Sequence, residues 1–133
     1  IIAADIFSKG LIALEFIDGL VFTSQNVGLE AVGIGIVMTV MIFLASMLMG
    51  SGNAAFFAFA PLVPDIASKL GVKSTLMLLP MNFAASMGRT VSPVAGVLIA
   101  TAEIAEVSTF QIVKRNLIPL VAALLVMLIY HFI

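Results

Sequence analysis

Long apolar runs, interrupted by two clusters of small and polar residues, dominate the pattern of this chain. Residues 31–64 contain no charged side chain, and 31–49 are rich in Ile, Val, Met and Leu. A helix needs about 20 apolar residues to cross the hydrocarbon layer, so 31–49 predict one spanning helix. The uncharged stretch that begins at Asn116 predicts another, and we place the last spanning helix at 115–133.

The first cluster is "GSGN", residues 50–53. Glycine lacks a Cβ, and Ser and Asn favour turns and helix caps over helix interiors. One alternative is a single long tilted helix through the glycines, and another is a kink at a small-residue packing surface. The third is a re-entrant hairpin over 31–68 with its tip, 50–53, at membrane depth, where irregular backbone is tolerated if it lines a cavity.

The second cluster interrupts residues 75–102, which as one continuous helix would be about 42 Å long. Gly88 and Pro93 bracket the sequence Arg-Thr-Val-Ser within it. Proline removes a backbone donor and disfavours helix at the residue before it. We therefore predict a broken transmembrane helix that is unwound at 88–93, with half-helices over 75–87 and 94–102.

Charged segments flank these runs. Residues 1–22 are apolar but carry four charges, which predicts the end of a spanning helix that enters the membrane interface, and a polar turn follows at 23–30. The charges within 103–114 predict an amphipathic helix lying in the interface. Lys114 and Arg115 directly precede the last span, so the positive-inside rule places them in the cytoplasm.

The amino-acid composition indicates the class of protein to which these elements belong. The chain is 62% hydrophobic and 10% charged with a mean hydropathy of +1.27, whereas a soluble domain is about half apolar and a quarter charged. We conclude that it is an integral membrane protein. The absence of cysteine excludes thiolate metal sites, the net charge of -1 argues against nucleic acid, and no cluster of His and acids indicates an enzyme or a cofactor. Since the sequence has no initiator Met, we interpret it as an excised piece.

Arg89 is the residue with the clearest chemistry. It lies near the centre of 75–102, where an arginine costs about 2.5–3.5 kcal/mol on insertion scales and nearly always faces a cavity or a partner. The sequence has no acid between Asp65 and Glu103, so the partner is either a carboxylate from a distant segment or from outside this chain, or a bound anion. A broken helix supplies free N–H groups, and guanidinium suits a carboxylate. The predicted anion-binding residues are Gly88, Arg89, Thr90, Ser92 and Pro93.

The tip contains a second predicted binding site. Ser51, Gly52 and Asn53 would bind another carboxylate or a coupling cation, and sodium near Asn53 and Thr90 is one alternative. For the other polar residues we favour structural roles: interfacial solvation for Glu15 and Asp18, an interface position for His131, and packing for Asn82.

Two stretches carry a family resemblance. "MGSGNAAFFAFAPLVPDIASKLGV" and "LPMNFAASMGRTVSPVAGVLIATAEIAEVSTFQIVKRNLIP" resemble the C-terminal region of the anaerobic C4-dicarboxylate carrier (DcuC) family, and weaker similarity begins at "IIAADIFSKGLIALEFID". The resemblance implies an all-α integral membrane fold, half of an inverted-repeat secondary transporter of the ion-transporter superfamily. Ala55 stands where the family leads us to expect proline, which should loosen the second limb without removing its donors.

The resemblance also implies a function. Such a carrier moves succinate, fumarate or malate through the bacterial inner membrane, coupled to protons or sodium or by exchange. Its partners would be the dicarboxylate, the coupling cation, the N-terminal repeat of the same protein and the bilayer, with a homodimer as one alternative for the oligomeric state. Two other functions stay open: a related carrier for amino acids or Na+/H+ exchange, and a non-transporting structural membrane subunit.

Overall fold

The computed structural model describes residues 2–27 and 31–132, and these ranges form helices with no strand. The predicted all-α class is therefore confirmed for the described part of the chain. The helices are α1 (Ile2–Ala13), α2 (Phe16–Val27), α3 (Ala31–Met49), α4 (Gly52–Phe59), α5 (Val63–Leu70), α6 (Thr75–Thr90), α7 (Gly96–Ile104) and α8 (Thr109–Phe132), with a 3-10 turn at Ala60–Leu62 between α4 and α5.

The "GSGN" cluster ends one helix and starts the next. Gly50 has a φ of 68°, a left-handed conformation that glycine adopts without steric cost. Ser51 is extended, with φ -140° and ψ 110°, and its side chain accepts a hydrogen bond from the Ala54 backbone N–H as the N-cap of α4. The alternative of one long helix through the glycines is therefore wrong.

The limb after the tip contains two prolines that start new turns. Pro61 lies in the first positions of the 3-10 turn and Pro64 in those of α5, where a backbone N–H is not needed by the helix. The limb consequently continues to Leu70, and Gly71, with a φ of 67°, ends α5. Lys69 near this end forms an ion pair with Asp18 of α2.

The break of the 75–102 segment is displaced from the prediction. Gly88, Arg89 and Thr90 are helical residues of α6, and the non-helical stretch covers 91–95 instead of 88–93. Proline affects the residue before it and not the whole preceding turn. Gly88 is not a helix breaker here, because it is a contact position: a Cβ at Gly88 would collide with the Phe43 carbonyl oxygen of α3.

Two further boundaries differ from the sequence prediction. Residues 1–22 are not one helix end, because α1 stops at Ala13 and α2 begins at Phe16 after Glu15, which has a φ of 53°. The polar turn expected at 23–30 is helical as far as Val27, and residues 28–30 lie outside the described ranges.

The separate interfacial helix predicted at 103–114 is also wrong. The chain turns at 105–108, and α8 starts at Thr109 and continues without a break. Ser108 directly precedes it, and its carbonyl accepts a hydrogen bond from the Ile112 N–H. Pro119 thus lies inside α8.

The core forms where α3, α4 and α6 pack together. At the crossing of α3 and α6, the Ser46 hydroxyl donates a hydrogen bond of 2.5 Å to the Ala85 carbonyl, and both groups are buried. This hydrogen bond and the absence of a side chain at Gly88 allow the backbones of α3 and α6 to lie close together. The largest fully buried side chains around them include Met38, Ile42, Leu62, Ile66, Met77 and Met81.

A hydrogen bond connects the end of α8 to the start of α6. Pro80 has no N–H, so the Leu76 carbonyl, four residues earlier, lacks its usual helical donor. The His131 Nε2 atom lies 2.8 Å from that carbonyl oxygen and satisfies it. The neighbouring Phe132 ring packs on Gly35 of α3. The starts of α3 and α6 therefore lie on the same side of the molecule as the end of α8.

Loss of the His131 hydrogen bond should weaken the packing of α8 on α6. We expect His131→Ala to lower the unfolding free energy by about 1 kcal/mol, because the Leu76 carbonyl loses its donor. His131→Gln, which keeps an amide donor, should restore part of the loss. Thermal unfolding in detergent measures the effect, with Tyr130→Phe as the control, since Tyr130 is 90% exposed. Equal stability of His131→Ala and the unaltered chain would contradict the role of this hydrogen bond.

Within the described residues, two helices are long and apolar enough to cross a membrane, as judged by length and composition. They are α3, with a mean hydropathy of 2.4, and α8, with 2.1. The side chains of α8 are mostly exposed, and those of α3 are buried to a greater extent. An apolar helix with an exposed apolar surface requires a non-aqueous environment or other helices around it.

Candidate functional site

The two interruptions predicted from the sequence meet in the structure. A Cβ built on Gly50 would lie 3.1 Å from the Val94 backbone, and one built on Gly52 would lie 2.7 Å from the Ala85 carbonyl oxygen. The tip between α3 and α4 is therefore packed directly on the end of α6 and on the stretch 91–95. Both glycines permit this close approach of backbones.

A cavity of about 270 Å³ opens beside this meeting point, and we call it the Arg89 cavity. Its walls come from the tip, the end of α6, the first half of α7 and the early turns of α8. The residues that line it are Gly50, Arg89, Thr90, Ala95, Gly96, Val97, Leu98, Thr101, Ile112 and Asn116.

The start of α7 faces this cavity with free backbone donors. Ala95, its N-cap residue, is extended (φ -68°, ψ 123°) and has no side chain that could cap the helix. The N–H groups of Gly96, Val97 and Leu98 consequently have no hydrogen-bond acceptor in the part of the chain that the structure describes. Free N–H groups and the positive end of the helix dipole favour an anion at this place.

Arg89 supplies a positive charge to the cavity. It is exposed and forms no ion pair with any carboxylate among residues 2–27 and 31–132. It is also the only charged residue among the described residues that line the Arg89 cavity. Its guanidinium can therefore offer two parallel N–H donors to a ligand oxygen pair.

The hydroxyl groups near the break are already engaged. The Thr90 Oγ1 atom donates to the Ser86 carbonyl at 2.9 Å, which leaves its lone pairs for a ligand. Ser92 is fully buried, and its Oγ atom accepts from the Val94 N–H at 3.3 Å, so its side chain holds the non-helical turn in shape. Pro93 is half-buried within that turn, and neither Ser92 nor Pro93 lines the cavity.

The polar residues of the tip point elsewhere. The Ser51 hydroxyl accepts from the Ala54 N–H at 3.3 Å. Asn53 lines a different, mainly apolar cavity of about 650 Å³ that lies between α1 and the α3–α4 pair, together with Phe7 and Met49. Asn53 and Thr90 line separate cavities, so the structure does not bring together the two residues named for the predicted sodium site.

Sequence reasoning missed two polar residues of the Arg89 cavity, Thr101 of α7 and Asn116 of α8. Neither belongs to a helix break, which was the signal we used. Asn116 was placed at the start of the last span, and only the earlier beginning of α8, at Thr109, brings its second turn against α7. A polar residue just inside an apolar run could have indicated it.

The described residues form an all-helical fold in which two helices are long and apolar enough to cross a membrane, as in helical membrane proteins. Comparison with known proteins gives the family. The chain belongs to the C4-dicarboxylate anaerobic carrier family, whose model matches residues 1–133. This is a family of carriers and not of enzymes.

The similar proteins are transporters by name. The chain is 36% identical over 129 residues to a probable anaerobic C4-dicarboxylate transporter of Vibrio cholerae, and 34% identical over 129 residues to the anaerobic C4-dicarboxylate transporter of Escherichia coli K12. Each match covers 97% of the chain and 28% of the relative, so the chain spans less than a third of these proteins. A putative uncharacterised transporter of Haemophilus influenzae is 34% identical, over 98% of the chain and 46% of the relative. No solved structure matches the chain.

Proposed function

We propose that this chain is part of a secondary carrier that moves C4-dicarboxylates across the bacterial inner membrane. The Arg89 cavity holds one carboxylate of the substrate. The observation that carries the proposal is the pairing, in one cavity, of the uncapped start of α7 with an arginine that has no carboxylate partner in the described chain. The names of the related proteins support the choice of substrate class.

The binding chemistry follows from these donors. One carboxylate accepts two hydrogen bonds from the Arg89 guanidinium, or it accepts hydrogen bonds from both the guanidinium and the backbone N–H groups of Gly96 and Val97. Each hydrogen bond to a charged group contributes about 1.5–3 kcal/mol. Because a dicarboxylate carries two negative charges and Arg89 supplies one positive charge, the occupied site has an excess negative charge. A coupling cation, a proton or sodium, compensates it during transport.

The hairpin gives the site a means of opening. Residues 31–70 form two limbs, α3 and α4–α5, and the start of α6 lies on the side where α3 begins. We place the tip, 50–53, at membrane depth as a re-entrant hairpin, packed on the broken helix α6–α7. An inverted N-terminal repeat completes the cavity, and movement of the tip exposes the site to one side of the membrane at a time. The side-chain oxygens of Ser51 and Asn53 form the binding site for the coupling cation at the tip, next to the negative end of the α3 dipole.

Substrate protection of an introduced thiol tests this function. In the full-length carrier, we expect Thr90→Cys to react with a water-soluble thiol reagent and succinate to slow that reaction several-fold, because Thr90 lines the Arg89 cavity. This chain contributes no native cysteine, and cysteines in the rest of the carrier are replaced by serine before the measurement. Ser68→Cys, exposed on α5 and outside this cavity, is the matched control and should react with or without succinate. Reaction at Thr90→Cys that succinate does not slow would refute binding in this cavity, and a structural membrane subunit would give that result.

A further inference from the structure

We propose that Asn116 of α8 binds the second carboxylate of the substrate and thereby makes the Arg89 cavity selective for dicarboxylates. The inference rests on the proposed function and assigns the other end of the same site. It moves the determinant of specificity from the two helix breaks to the last spanning helix.

The first step is the position of Asn116. It lines the Arg89 cavity from α8, whereas Arg89 lies at the end of α6 and the free N–H groups lie at the start of α7. The cavity is thus walled by three different helices. A ligand that is held at one end by Arg89 and α7 has Asn116 as the polar group of the third helix.

The second step is the inventory of donors. The Thr101 Oγ1 atom donates to the Val97 carbonyl at 2.8 Å, just as Thr90 donates to Ser86, so both threonines have only acceptor capacity left. Asn116 is half-buried, and its amide forms no hydrogen bond with any residue that the structure describes. Among the described residues that line this cavity, Arg89 and Asn116 therefore have the only side-chain donors that remain free.

The third step is the chemistry of the substrate. A second carboxylate is an acceptor and finds no donor in the hydroxyls of Thr90 and Thr101. The amide N–H2 of Asn116 supplies a donor without a second positive charge. A monocarboxylate of similar length leaves this amide unpaired, so the site prefers the dicarboxylate.

The test uses Asn116→Leu in the full-length carrier, a substitution that keeps the branching of the side chain at Cγ and removes the amide. We measure the inhibition of labelled succinate uptake by unlabelled succinate and by butyrate, which lacks the second carboxylate. We expect the succinate inhibition constant to rise about tenfold, which corresponds to about 1.4 kcal/mol, and the butyrate constant to stay unchanged. Asn116→Asp, which adds repulsion, should raise the succinate constant further. Gln111→Leu, an exposed position on α8 outside the cavity, should leave both constants unchanged.

The outcomes separate this inference from the proposed function. Equal changes of the succinate and butyrate constants, or no change in either Asn116 variant, would overturn the role of Asn116. The proposed function survives that result if Arg89→Gln, measured in parallel, still loses uptake. Uptake that persists in Arg89→Gln would overturn the proposed function itself.

Discussion

Arg89→Gln is expected to reduce succinate uptake at least about a hundredfold in a carrier that still inserts and folds normally. Glutamine keeps one donor but loses the charge and the bidentate geometry, so it loses about 3 kcal/mol of interaction with a carboxylate. Because Arg89 is exposed and has no partner within the described chain, its loss leaves no buried carboxylate unpaired there. The fold should therefore be unaffected.

Arg89→Lys separates charge from geometry. The lysine ammonium is a compact point charge and cannot form two parallel hydrogen bonds to one carboxylate, so we expect uptake to remain severely reduced. The matched control is Arg115→Gln, which removes the only other arginine of the chain at an exposed position outside the Arg89 cavity. Initial rates of labelled succinate uptake, normalised to the amount of carrier in the membrane, give the comparison. Normal uptake by inserted Arg89→Gln would exclude Arg89 as a substrate ligand.

The helix interruptions were accessible to sequence reasoning because their causes are local. Gly50 adopts a left-handed φ that glycine tolerates, and Pro93 lacks a backbone N–H, so both breaks could be anticipated from residue chemistry. The exact residues at which the helices end could not be anticipated. Gly88 is required by its contact with a carbonyl of α3 and Gly52 by its contact with a carbonyl of α6. In a sequence, a glycine that permits close packing looks the same as one that ends a helix.

The composition of the cavity depends on tertiary contacts that the sequence did not reveal. Asn53 and Thr90 belong to the two predicted clusters, but α4 turns Asn53 toward α1 while Thr90 remains on the other side. Asn116 reaches the Arg89 cavity only because α8 begins at Thr109 and packs against α7. In the same way, the hydrogen bond of His131 to the Leu76 carbonyl depends on Pro80, fifty-one residues earlier in the chain than His131.

Gly88→Ala should destabilise the fold strongly, although it adds one methyl group. The added Cβ would collide with the Phe43 carbonyl oxygen and would lie 3.0 Å from the Ser46 Cβ. The backbone of α3 cannot rotate away as a side chain could, and the buried hydrogen bond from Ser46 to the Ala85 carbonyl lies at the same crossing. Overpacking of this kind typically costs about 1–3 kcal/mol, and we expect the upper end of that range.

The control is Gly19→Ala on α2, where an added Cβ meets no atom within 4 Å. Alanine is the better helix former, so this variant should be neutral or more stable by up to about 1 kcal/mol. Thermal unfolding in detergent compares the two glycine variants with the unaltered protein. If Gly88→Ala unfolded at the same temperature as the unaltered protein, α3 and α6 would not cross as closely as the structure shows. Gly88→Ala should thus reduce the amount of folded carrier, whereas Arg89→Gln should reduce uptake by folded carrier. The two effects differ because Gly88 contacts α3 and the next residue, Arg89, lines the Arg89 cavity.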